Sequence, residues 1–143
     1  MPSSMNRRLA ALIATRLETH AETAPVFGSR VFPVIAPQNT PYPLVCYRRL
    51  SASPVTSLSG NVGRPVVTIE TKIYAHSYAE ALDAAEAVRK ALDKFTGTLE
   101  GCTIQRTTWS QESDNAEVPQ DGQMLPDYTV SQSYEMRVED SSA

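Results

Sequence analysis

Two histidines, two cysteines and 16 acidic residues are the side chains with which this 143-residue chain could do chemistry. His20 and His76 each lack a second His, a Cys or a carboxylate at metal-ligand spacing, so no metal site is expected. Serines are frequent, but no Gly-x-Ser-x-Gly elbow presents one as a nucleophile. No glycine loop ending in Lys and Ser/Thr is present to cradle a phosphate. Gly60-Asn-Val-Gly63 matches the Gly-x-x-Gly of an RNA-clamping loop. That loop joins two helices among basic residues, whereas this one falls between two strands. Carboxylates paired for hydrolysis would have to come from Glu112–Asp127, where no apolar surroundings raise a pKa. Cys46 and Cys102 form no Cys-x-x-Cys pair and read as reduced, buried small residues, with a disulfide between neighbouring strands as the lesser alternative. These residues assemble no catalytic set and no metal site. Weight moves to a structural or interaction role.

The element that organises the chain is Thr68–Phe95, a strand running directly into an amphipathic helix. Apolar spacing changes there from every second residue to every third or fourth. Val67, Ile69 and Ile73, with Thr71, share one strand face. Tyr78, Ala81, Leu82, Ala85, Val88, Leu92 and Phe95 share one helix stripe. Ser77 and Glu80 have capping-box spacing, the carboxylate reaching back to the Ser77 N–H. Gly97 is expected to end the helix with a left-handed turn.

Upstream, Met5–Ala14 puts two arginines before an apolar run, as an export signal does. Arg16 and Glu18 interrupt the run, and Leu9, Leu12, Ile13 and Leu17 follow helical spacing. The expectation is an amphipathic helix over Asn6–Thr19 in a protein retained inside the cell where it is made. Nothing else is apolar enough to span a membrane. Residues Ala21–Ser29 read as a connector. Arg30–Ile35 reads as a short strand that Pro33 confines to an edge or a bulge. Leu44–Ser51 is a stronger strand with both faces partly apolar. Leu99–Gln111 follows the central helix as another strand, with Cys102, Ile104, Arg106 and Thr108 on one side. Thr103, Gln105, Thr107 and Trp109 lie on the other. Tyr128–Val138 closes the chain as a strand with Tyr128, Val130, Gln132, Tyr134, Met136 and Val138 on one face. It pairs antiparallel with the strand before it.

The order α-β-β-β-α-β-β defines an α+β fold: a mixed or antiparallel sheet of about five strands with two helices on one face. Residues 1–143 are expected to form a single domain. The net charge of −3 argues against a nucleic-acid-binding surface as the main feature. Two long loops stand out. Ala52–Pro65 carries Val55, Leu58 and Val62, with Arg64, on an arm that has little of its own domain to pack on, so it is expected to dock on a partner. Glu112–Asp127 carries Glu112, Asp114, Glu117, Asp121 and Asp127 without a Lys or Arg. It reads as a solvated acidic loop or as an electronegative surface facing a neighbour or a channel.

The run Val31-Phe-Pro-Val-Ile-Ala-Pro-Gln-Asn-Thr-Pro-Tyr-Pro-Leu-Val-Cys-Tyr-Arg-Arg-Leu-Ser51 resembles the tail-terminator or tail-completion proteins of long-tailed phages and phage-derived particles. The strand-to-helix segment Thr68–Leu92 carries the second match, and the resemblance extends over Val31–Val138. It implies an α/β sandwich, with no catalysis and no cofactor, that assembles as a ring, commonly a hexamer, at the head-proximal end of the tail tube. The ring stops tube polymerisation and presents the surface to which the head joins. Implied partners are further copies of the chain, the tail tube protein and a head–tail connector or stopper protein. DNA passes through the lumen without specific binding. The implied location is the tail of a virion or phage-like particle, reached from the host cytoplasm during assembly. A related connector or minor tail component, or a small cytosolic α+β enzyme, is the alternative.

Overall fold

The structure, a computed structural model, describes residues 4–53, 56–57, 60–61, 65–117 and 127–140. Helix α1 (Met5–Thr19) is followed by one short turn of helix, α2 (Ala24–Phe27). Strands β1 (Val31–Pro33) and β2 (Leu44–Ser53) come next, then a small hairpin of β3 (Thr56–Ser57) and β4 (Gly60–Asn61). Strand β5 (Val66–Ala75) leads into α3 (Tyr78–Leu92). The chain ends with β6 (Gly97–Leu99), β7 (Cys102–Glu117) and β8 (Asp127–Asp140). The main sheet has six strands in the order β1-β2-β5-β8-β7-β6. Only β1 against β2 is parallel. The α+β architecture read from the sequence is therefore present, with a third, short helix and a sixth strand added.

Alternation sets the core. Val67, Ile69, Thr71, Ile73 and Ala75 of β5 are all buried, as are Val130, Gln132, Tyr134, Met136 and Val138 of β8. Helix α1 lays Leu9, Ile13 and Leu17 on this face, and α3 adds Ala81, Ala84, Ala85, Val88, Ala91 and Leu92. The small alanine side chains bring α3 close to the sheet. Burial of each large apolar side chain contributes about 1.5–3 kcal/mol, which is enough to hold both helices down. Gln132 is the one amide in this layer, and all its hydrogen-bonding capacity is used. Its Nε2 donates to the Ala85 carbonyl and to Glu112, each at 2.8 Å. Its Oε1 accepts from Thr71 at 3.1 Å and from Tyr134 at 3.0 Å. The buried Arg8 guanidinium donates to the Glu100 carbonyl at 2.7 Å and to the Asp140 carboxylate at 3.0 Å, clasping α1 to the far ends of β6 and β8.

The structure corrects several local readings. Ser77 caps α3 by accepting from the Glu80 N–H, but the Glu80 carboxylate accepts from His76 rather than from Ser77. The left-handed residue that ends the helix is Lys94 (φ 67°), not Gly97. Gly97 is small because a Cβ there would come within 3.0 Å of the Phe95 ring. Tyr78 and Leu82 are 48% and 39% exposed, so the buried stripe of α3 is narrower than the spacing implies. A bulge between Ile104 and Arg106 reverses the phase of β7. Thr107 consequently joins Cys102 and Ile104 in the core while Arg106 turns outward. A one-residue slip of this kind moves the following side chains to the opposite face, until the second bulge, between Trp109 and Gln111, restores the phase. Cys46 and Cys102 are both free and buried, in β2 and β7 with two strands between them.

Candidate assembly interface

The sheet face opposite the helices has no described helix or strand over it, although at one end Leu44 and Cys46 are buried beside the β1–β2 connection. Along β5, Val66, Thr68, Glu70, Lys72 and Tyr74 point this way and are all partly exposed. Arg48 of β2 pairs with Glu70 at 2.8 Å, and Lys72 pairs with Glu117 of β7 at 3.5 Å. Partial burial works against the Lys72 charge, but Tyr74 and Glu117 outweigh it and raise its pKa. Arg106 and Arg137 face each other across β7 and β8, beside Glu135. Ion pairs this exposed add about 0–1 kcal/mol to a monomer. This face is therefore too polar to be core and adds little to the fold.

At one end of that face the connection between β1 and β2 stands out from the body. Val34 and Ile35 at its start are 67% and 78% exposed. Val34 still donates to the Tyr47 carbonyl at 2.8 Å, so the backbone is held while the side chain faces out. With Tyr74, His76 and Asp127, residues 35–42 and Leu44 line an open pocket of about 490 Å³. Tyr42 lies 4.7 Å from the His76 ring and 6.0 Å from the Tyr74 ring, centroid to centroid. Burial, then a hydrogen bond to Asp127, push the Tyr42 phenol up to about 12.

The third surface runs along the outer side of α3 and β7. Tyr78, Leu82 and Trp109 are exposed there, and the Tyr78 hydroxyl donates to Asp114 at 2.5 Å. That bond raises the Tyr78 pKa. Arg89 lies 5.1 Å over the Trp109 ring.

The interface residues anticipated from sequence divide accordingly. Val55, Leu58, Val62, Arg64 and Asp121 lie outside the described residues. Glu112, Asp114 and Glu117 are described, but not in a loop: β7 continues to Glu117, so the acidic segment between β7 and β8 shrinks to residues 118–126. Strand pairing with β8 overrode the polar composition of Glu112–Glu117, as each of its residues finds a cross-strand partner. Glu112 and Asp114 face the helix side through Gln132 and Tyr78, whereas Glu117 faces Lys72 on the open side. The exposed Val34–Ile35 pair was not singled out from sequence. Its signal was present in Pro33, which ends β1 and leaves the next two apolar residues without a strand to bury them. Among the described residues no group of His, Cys, Asp and Glu is placed to hold a metal ion, and no helix is long and apolar enough to cross a membrane.

Among the described residues, exposed apolar side chains, a sheet face without a helix or strand over it and strand edges without a partner strand mark the surfaces available to other proteins. Residues 11–124 match the family profile described as tail completion protein gp17, and the chain belongs to that family. It is a structural protein of the phage tail and is located in the virion tail. Its fold matches a chain in the virion of a native gene transfer agent particle, with a TM-score of 0.76 and 17% identity. The match covers 96% of this chain and 99% of that one. Comparison with curated proteins finds no match.

Proposed function

We propose that copies of this protein form a ring, commonly a hexamer, on the head-proximal end of the tail tube, where the ring ends tube polymerisation and presents the head-joining surface. The observation that carries the reading is the family match across residues 11–124. A ring needs heterologous contacts, in which two different patches of each copy meet. The open sheet face, the Val34–Ile35 projection and the arm carrying Val55, Leu58, Val62 and Arg64 supply such patches. Partners are further copies of the chain, the tube protein and the connector or stopper on the head. The work done is positioning, with no substrate turned over.

Each copy carries a charge of −3, so a ring repeats an acidic surface around its axis. We place Glu117 and Asp121, at the β7–β8 end, toward the lumen or the tube, where like charge keeps DNA from adhering to the wall. Assembly of tails without the protein tests the reading. Over-long tubes that fail to join heads are expected, and tubes of normal length that join heads overturn it. Lysine in place of Glu117 and Asp121 should slow DNA passage, and unchanged transfer would remove the lumen assignment alone.

A further inference from the structure

We propose that the Gln111–Glu117 half of β7 is a strand-addition site, filled by the Arg48–Ser53 half of β2 from a second copy of this chain. The proposal rests on the ring reading and names the surface that joins neighbouring copies.

Strand β7 is 16 residues long, but β6 pairs only with Cys102–Ile104. The end of α3 occupies the next stretch: Lys94 donates to the Thr107 carbonyl at 2.9 Å, and Trp109 donates to Asp93 at 3.2 Å. From Gln111 onward no described residue pairs with the outer side of β7. An open edge presents a row of N–H and C=O groups, and natural proteins usually block it with charged side chains, Pro or a bulge. Residues 111–117 contain no Pro, the nearest bulge lies before them, between Trp109 and Gln111, and their charged residues, Glu112, Asp114 and Glu117, are all acidic, which disfavours another acidic edge and favours a basic one.

The other end of the sheet has the complementary gap. Strand β1 pairs only with Val45–Tyr47, so Arg48–Ser53 pairs on one side, with β5 across a bulge at Leu50, and no described strand pairs with the other, where Pro33 and Val34 lie beside Arg48 and Arg49. The steps from β2 to β5, β5 to β8 and β8 to β7 are all antiparallel. A second copy in the same orientation therefore offers its β2 antiparallel to β7, as a continued sheet requires. The two gaps lie on opposite edges and at opposite ends of the sheet. Joining them staggers each copy along the strand direction, and tilt with stagger is the condition for closing a sheet on itself.

Charge selects the occupant. The β7 edge carries Glu112 and Asp114 on the helix side, next to the exposed Tyr78 and Leu82. The β2 edge carries Arg48 and Arg49 followed by the exposed Leu50. Arg49 forms no ion pair with a described residue and lies on the helix side, since it faces the buried Ile69. Keeping helix side against helix side brings Arg49 opposite the Glu112–Asp114 row. Pairing β7 with β7 of a second copy would instead bring these carboxylates together.

The test is charge reversal, read by sedimentation and by amide exchange in the multimer and in assembled tails. Arg49→Glu and Asp114→Lys should each weaken self-association about tenfold or more, and the double variant should recover most of it. Amides 111–117 should be protected in the multimer and not in the monomer; the monomer's melting temperature should stay unchanged in Arg49→Glu and fall only slightly, equally in both, in the two variants that lose the Tyr78–Asp114 bond. A multimer that ignores both reversals, with amides 111–117 exchanging freely, overturns this assignment and leaves the ring intact. Protection that appears only when tube protein is added assigns the edge to the tube and also overturns it. Failure to find any multimer, in solution or in tails, is the failure of the ring reading itself.

Discussion

The two faces of one sheet follow different rules. Within β5, successive residues alternate between complete burial against α1 and α3 and partial exposure on a face with no described helix or strand over it. The covered side spends apolar area on stability. The open side carries Arg48, Glu70, Lys72, Glu117, Glu135 and Arg137, whose pairings contribute little to a lone copy. A face that polar, on a sheet held firmly from behind, is suited to specifying a neighbour rather than to holding the fold. The same division runs along β7, half wrapped by β6 and the end of α3 and half open.

The sharpest break in the comparison is Ile73→Ala on the covered side, expected to cost about 2–5 kcal/mol by cavity formation. Glu70→Ala, three residues away on the open side, should stay within about 1 kcal/mol, and denaturant midpoints of both compare them directly. Next is Gln132→Leu. It keeps the size but strands the Thr71 and Tyr134 hydroxyls, at about 1–3 kcal/mol for each group left without a partner, while the Ala85 carbonyl keeps its partner within α3. Partial relief by Tyr134→Phe in the same chain would show that the network, rather than packing alone, is being measured. Ser77→Ala, at the junction between β5 and α3, should cost about 1 kcal/mol through loss of the N-cap bond to Glu80.

The smallest effect belongs to the projection near the open face. Folded Tyr42 holds its proton to about pH 12, whereas an unfolded tyrosine releases it near 10. Between those values the unfolded chain binds fewer protons, so stability is fully present below pH 10 and falls as pH rises toward 12. Tyr42→Phe should flatten part of that alkaline slope in thermal melts. The remainder is shared by the other groups whose pKa rises on folding: Tyr134, Tyr47, Cys46 and Cys102 by burial and Tyr78 through its bond to Asp114.

Much of the fold was legible because period and burial coincide. The β5 to α3 unit, the inward row of β8 and the edge position of β1 were readable from alternation, capping residues and Pro33. Two features were hidden. The bulge at Gln105 leaves no mark in composition, yet it reverses which residues of β7 face the core. The strand character of Glu112–Glu117 was concealed by its charge, since partnership with β8 is a tertiary fact. Most of the interface was less legible for the same reason. An exposed Leu82 and a buried Leu92 differ only in what lies across from them.

Local chemistry alone determined that two amphipathic helices and a set of alternating strands would form one apolar layer, because periodicity and caps act within a few residues. Only the tertiary structure decided which strand edges stay open and which acidic residues stand beside them. Those properties depend on how far each neighbouring strand extends, and contacts between residues distant in the chain set that reach.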